Sequence, residues 1–238
     1  MQSKIFTDKK HLFFDLDHTL WDFDRNAEET LSELFDIYRF RDLGFSSADV
    51  FIESYTRNNQ LLWAQYHLGE IDKNHLRKAR FSNTFEELGV EASRFPQQFE
   101  EDYLSMCPLK THLFPHAIET LNYLQEKYVL HLISNGFKEA SATKVEKTGI
   151  AKYFFQIVIS ENIGVHKPHP QIFEYAVNAA GTTKEESVMI GDSLEADIRG
   201  AQNFGMDAIF FNPKKMETPP DVNIQIAELI ELTRLFQY

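Results

Sequence analysis

The chain has 238 residues, 43% hydrophobic and 25% charged, and its 36 acidic and 24 basic side chains leave a formal net charge of −12. That length suits one large domain or one ordinary domain with a smaller partner, and the composition excludes collagen-like, low-complexity and disordered chains. The negative field opposes long-range attraction to nucleic acid or anionic membrane, so an anionic substrate would have to be held by a few local groups or a bound cation. The one cysteine, Cys107, rules out an intrachain disulfide and reads as packing filler. Met1–Lys10 has no apolar core of signal-peptide length, and no apolar run reaches the ~20 residues of a bilayer span. A soluble, cytoplasmic protein is expected.

Taken in chain order, His11–Leu16 is a short apolar run that suits a strand buried on both faces of a parallel sheet. From about 22 to 106 the pattern becomes helical. Asn26 is expected to cap the first helix, with Glu29 closing a capping box ahead of the stripe Ala27, Leu31, Leu34, Phe35 and Tyr38. Ser46 or Ser47 opens a second helix through Val50, Phe51, Tyr55, Leu62 and Tyr66 towards Gly69. A third runs through Leu76, Phe81, Phe85 and Leu88 to Gly89, and a fourth uses Phe95, Phe99, Tyr103 and Met106. Four amphipathic helices with no strand signal between them predict a small bundle.

Beyond residue 106 the apolar runs return as Val129–Ser134, Phe155–Ser160, Ser187–Ile190 and Asp207–Phe211. Helical patterns alternate with them: one at Ala117–Tyr128 after Pro115, one at Ile172–Ala180 closed by Gly181, and one at Leu194–Ala201 closed by Gly205. The stretch from Asn212 to Asp221 reads as a surface loop before a final helix. The expected fold is α/β: a Rossmann-like parallel sheet of five or more strands built from residues 1–21 and 107–238, with a small all-helical cap, 22–106, inserted after the first strand.

In such a sheet, ligands bind at the carboxyl ends of the strands, near the point where strand order reverses. Asp15, Asp17 and Thr19 follow the first strand; Ser134, Asn135 and Gly136 follow the second; Lys167-Pro168 comes after the third; Gly191, Asp192 and Asp197 follow the fourth. Two carboxylates at the ends of buried strands, Asp15 and Asp192, are costly unless a cation lies between them. Oxygen-only ligation favours Mg²⁺. Lys167 and Ser134 add a compact charge and a hydroxyl on the same rim, which together make a pocket for a small phosphate monoester. Hydrolysis of such an ester is among the slowest uncatalysed reactions, and a covalent step through a carboxylate divides the barrier. Asp15 and Asp17 can split that work, one attacking and one shuttling a proton.

The set Asp15-Leu-Asp17-His-Thr19-Leu, Ser134-Asn135-Gly136, Lys167-Pro168 and Gly191-Asp192-Ser-Leu-Glu-Ala-Asp197 resembles, in order, the four motifs of the haloacid dehalogenase superfamily, and the helical insertion is similar to its cap. The resemblance implies that Asp15 is the nucleophile and forms an aspartyl-phosphate, and that Asp17 is the general acid and then the base. It also implies that Mg²⁺ is held by Asp15, the Asp17 backbone carbonyl and Asp192. Ser134, Asn135 and Lys167 would bind the phosphoryl group, Thr19 would shape the turn near Asp17, and Asp197 would support the metal shell or Lys167. The first two motifs are similar to those of bacterial 5′-nucleotidases acting on pyrimidine and noncanonical nucleoside monophosphates. The same motif set admits a phosphatase of phosphoglycolate or a sugar phosphate, a phosphosugar mutase, a 2-haloacid dehalogenase and a non-catalytic phosphate-binding module. Trp21 and Phe23 are candidates to stack on a base. Trp63 and Tyr66 read as core of the bundle, and His18, His166 and His169 as residues outside the chemistry.

Overall fold

The computed structural model describes residues 6–237; residues 1–5, on which part of the signal-peptide reading rests, lie outside them. The chain forms two compact units, one of residues 1–23 with 111–238 and one of residues 24–110. The sequence places the junctions at 21/22 and 106/107. They fall later because Trp21 belongs to the turn after the first strand, and because the fourth helix continues into a 3₁₀ turn, Cys107–Leu109, before the chain re-enters the sheet unit.

Strand β1 is His11–Phe14, the buried apolar run expected, but it stops at Phe14 rather than Leu16. The helical unit follows. Helix α1 spans Phe23–Ile37, starting ahead of the expected cap: Asn26 lies inside it, buried, and its carbonyl accepts the Thr30 hydroxyl at 2.8 Å. Asp24 supplies the acidic group of the first turn. Helix α2 is Ala48–His67 with Ser47 at its N-cap, α3 is Lys73–Glu87 with the Asp72 carboxylate accepting from His75 N, and α4 is Phe99–Met106. Phe95 sits outside α4, beyond the short turn Ala92–Arg94. The core of this unit is aromatic. The Phe40 ring lies 5.1–5.7 Å from those of Phe35, Phe45, Phe51, Phe85 and Phe99.

The chain then alternates: α5 Ala117–Leu124, β2 Val129–Ser134, α6 Lys138–Lys147, β3 Phe154–Ile159, α7 Pro170–Ala180 and β4 Ser187–Gly191. A π-helical segment, Leu194–Arg199, runs into α8, Gly200–Phe204, and is followed by β5 Asp207–Phe211, β6 Gln225–Ile226 and the short α9, Leu232–Leu235. The strands form one parallel sheet in the order β3-β2-β1-β4-β5-β6, with Phe14 in register with Leu132 and Ile190. On one face Phe13, Ile133, Val158 and Met189 pack with Ile172, Phe173, Ala176 and Val177 of α7 and Ala201 of α8. Helix α6 and strand β6 are absent from the pattern reading. The Asn212–Asp221 loop leads into β6, and the Asn212 side chain ties it down through Met216 at 2.9 Å in both directions. Among the described residues no helix is long and apolar enough to cross a membrane.

Candidate active site

β1 sits where the strand order parts, with β2 on one side and β4 on the other, so the crevice at the carboxyl end of the sheet opens between β1 and β4. Asp15 is the first residue past β1, and its N–H donates to the Ile190 carbonyl at 2.9 Å, extending the ladder by one bond. The backbone then folds into a tight turn. His18 N donates to Trp21 O at 2.9 Å and Trp21 N to Leu16 O at 2.8 Å, with His18 in the left-handed region at φ 62° and its ring against Phe23.

Four charged groups converge on that strand end. The Lys167 ammonium is buried; it donates to Asp15 Oδ1 at 2.5 Å and to the Ile133 carbonyl at 2.8 Å, and it pairs with Asp197 Oδ1 at 2.7 Å. Carboxylate oxygens of Asp15, Asp192 and Asp197 lie within 4.8 Å of one another. Asp197 reaches this position because the π-helical turn carries it back over β4. Its Oδ2 accepts from Ser193 N at 3.0 Å while Ser193 Oγ accepts from Ala196 N at 3.1 Å. Gly191 has no side chain to obstruct it. A Cβ there would lie 2.2 Å from Asp197 Oδ2. Thr19, fully buried, donates to Asp192 Oδ1 at 3.1 Å.

Burial pushes the Asp15 carboxyl up to about 7 against the pull of Lys167, and the negative charges of Asp197 and Asp17 add to the rise. Asp192 is held well above the ordinary carboxylate range by loss of hydration and by Asp15 and Asp197. Burial alone would lower Lys167, but Asp15 and Asp197 override it and hold the ammonium above the usual lysine value. Three carboxylates against one ammonium leave a cluster short of positive charge. An all-oxygen donor set of that kind fits a hard divalent cation. Asp15, Asp192 and Asp197 form the acidic group that could hold such an ion.

The remaining candidates divide. Ser134 is buried, its Oγ accepting from Gly136 N at 3.0 Å and lying 3.4 Å from Ser141 Oγ. The Asn135 side-chain amide spans the Lys167 backbone, donating one N–H to the carbonyl at 2.8 Å and accepting from the N–H at 2.9 Å, so it braces Lys167. Trp21 is fully buried, and one ring face is covered by the Lys144 ammonium 4.1 Å from its centroid. Phe23 is half-buried and meets Trp21 edge-on. The Asp17 carboxylate pairs through Oδ1 with the Lys144 ammonium, 2.5 Å away, a residue absent from the sequence reading. Helix α6 buries Ser141 and Lys144 as well as Val145, and that polar inner face hid both the helix and its lysine from a search for apolar periodicity.

The histidines lie apart. His166 Nδ1 is 2.7 Å from Ser160 Oγ, and His169 caps α7 by accepting from Gln171 N. Cys107 is buried against the Tyr103 hydroxyl.

This topology, with a helical unit emerging between β1 and β2 and acidic groups at the ends of β1 and β4, defines a class of enzyme. The profile of haloacid dehalogenase-like hydrolases matches residues 9–205, and the chain belongs to that family. Pyrimidine 5′-nucleotidase PynA of Streptococcus pneumoniae is 34% identical over 87% of this chain and 86% of its own length. Pyrimidine 5′-nucleotidase YjjG of Escherichia coli is 33% identical over 94% of this chain and 96% of its own. Among solved structures, the HAD-hydrolase YfnB from Bacillus subtilis, bound to magnesium, superposes with a TM-score of 0.84 at 28% identity, covering 95% of this chain and 98% of that one.

Proposed function

We propose that the protein is a cytoplasmic Mg²⁺-dependent phosphatase that hydrolyses nucleoside 5′-monophosphates, with a pyrimidine base favoured, through an aspartyl-phosphate on Asp15. One observation carries the reading: the buried Asp15 carboxylate, held 2.5 Å from Lys167, shares a charge-deficient cluster with Asp192 and Asp197. The two pyrimidine 5′-nucleotidases among its relatives support the choice of leaving group. An Asp15 oxygen attacks phosphorus as the ester P–O bond breaks, and a proton on Asp17 passes to the departing 5′ oxygen. Asp17 then takes a proton from water, whose oxygen attacks the phosphorus. The acyl-phosphate P–O bond breaks, restoring the Asp15 carboxylate and releasing inorganic phosphate. Lys167 and the Ser134 hydroxyl face the phosphoryl oxygens. Asp15, Asp192 and the Asp17 backbone carbonyl would hold Mg²⁺, which when bound supplies positive charge against the phosphoryl oxygens.

A panel of nucleoside monophosphates, sugar phosphates and phosphoglycolate, assayed for phosphate release with Mg²⁺ and with EDTA, tests the reading. Pyrimidine nucleoside 5′-monophosphates should give the highest kcat/KM, EDTA should abolish release, and Asp15→Asn should lower kcat by roughly 10⁴-fold or more. Asp15→Asn turning over at the native rate would overturn the covalent route. Faster release from a sugar phosphate would overturn the leaving group.

A further inference from the structure

Lys144 projects from α6 onto the turn that follows β1. Its side chain is 6% exposed, and a buried ammonium is costly unless something pairs with it. Here one carboxylate oxygen and two aromatic rings do so. The Nζ donates to Asp17 Oδ1 at 2.5 Å and lies 4.1 Å from the centroid of Trp21 and 5.4 Å from that of Phe23. The second oxygen of Asp17 faces elsewhere. A methyl group placed on Gly136 would come within 2.6 Å of Ser141 Oγ, 3.1 Å of Asp17 Oδ2 and 3.2 Å of Ser134 Oγ, so Oδ2 borders the small space beside these two hydroxyls. The two oxygens of this carboxylate therefore have different surroundings, Oδ1 held by the Lys144 ammonium and Oδ2 beside Gly136 and the Ser134 hydroxyl that follows β2.

We propose that Lys144 is a positioning residue for proton transfer. By holding Oδ1, it leaves Oδ2 as the one oxygen that gives a proton to the departing group and takes one from water. This rests on the phosphatase reading above. The torsion that spins a free carboxylate is soft, so an unanchored Asp17 would sweep both oxygens through several positions. A displacement of about 1 Å at a reacting group can cost on the order of 10²-fold in rate. Oδ1 can accept from Lys144 whether or not Oδ2 carries the proton, so the anchor persists through both half-reactions. Trp21 and Phe23 then form the seat that keeps the ammonium in place.

The test compares two esters in the wild type and in Lys144→Met. One is the alkyl phosphate the wild type hydrolyses fastest, whose leaving oxygen needs a proton. The other is p-nitrophenyl phosphate, whose leaving group departs as a stable anion. The variant should lose about 30- to 100-fold in kcat on the alkyl ester with KM little changed. On p-nitrophenyl phosphate it should show a rapid nitrophenolate burst close to one per active site, then slow turnover, because only the water step still needs Asp17. Lys144→Arg should recover most of the lost rate. Equal losses on both esters with no burst would overturn the proposal, as would native kcat on the alkyl ester. Should Lys144→Met fail to fold by circular dichroism, Lys144→Gln carries the same comparison. A wild type that prefers a sugar phosphate would overturn the nucleotide reading and leave this comparison intact.

Discussion

Replacing Gly191 with alanine puts one methyl group into space that Asp197 occupies. The new Cβ would lie 2.2 Å from Asp197 Oδ2, 2.4 Å from its Cγ and 2.7 Å from its Cβ, whereas non-bonded carbon atoms rest about 3.5–4 Å apart. Gly191 ends strand β4, and strand geometry accepts alanine, so the perturbation is steric. Asp197 has to retreat by about 1 Å or more, and its 2.7 Å ion pair with Lys167 and its 3.0 Å bond from Ser193 N give way together. Breaking one side of a buried pair costs about 3–5 kcal/mol. At about 2–4 °C per kcal/mol for a chain of this size, the melting temperature should fall by roughly 6–20 °C. Far-UV circular dichroism melts of the wild type, Gly191→Ala, Asp197→Gly and the double variant close a thermodynamic cycle. Once Asp197→Gly has removed the obstructing side chain, adding Gly191→Ala should cost less than about 1 kcal/mol. Equal costs of Gly191→Ala in the two backgrounds would refute the reasoning, as would a single variant that melts within about 2 °C of the wild type.

Two further outcomes follow from the shifted groups. In the metal-free protein Asp15 holds its proton up to about pH 7 rather than 3.8, so its contribution favours folding at low pH and is lost as pH rises through that window. A cation that needs the ionised carboxylates reverses this, so a fixed Mg²⁺ concentration should raise the melting temperature more at pH 8 than at pH 5.5. Equal increments at the two pH values would count against metal binding at Asp15 and Asp192. His131 is buried in β2 against the rings of His11 and Phe13, and burial first, then His11, lowers it from 6.5 to about 4. The unfolded chain takes up a proton that the folded state refuses, so this contribution is complete above pH 6.5 and lost as pH falls towards 4. Its size is at most roughly 3 kcal/mol, and urea titrations of His131→Phe should show a flatter loss across that range than the wild type. Parallel profiles would refute it.

Apolar runs mark five of the six strands among the described residues, most plainly where both faces are largely buried: Val129–Ser134 and Asp207–Phe211 sit where the pattern puts them, and the edge strand β3 keeps its apolar composition although Phe155 is exposed. The polar residues at the strand ends were legible for the converse reason, since Asp15 and Asp192 are expensive at such positions unless they have work to do. Periodicity misled where an inner face was polar or an element short. Helix α6 turns Ser141 and Lys144 inward, β6 has two residues, and Asn26 looked like a cap although the helix had already begun. What no local pattern could supply is which polar atoms meet. Lys144 finds Asp17 across 127 positions and Asn135 braces Lys167 across 32. Trp21 is sealed beneath an ammonium, with that face closed to any base. Local sequence determined which segments must be buried and which residue types stand at their ends. Tertiary structure alone decided the pairing of those groups, because it is set by distances between elements far apart along the chain.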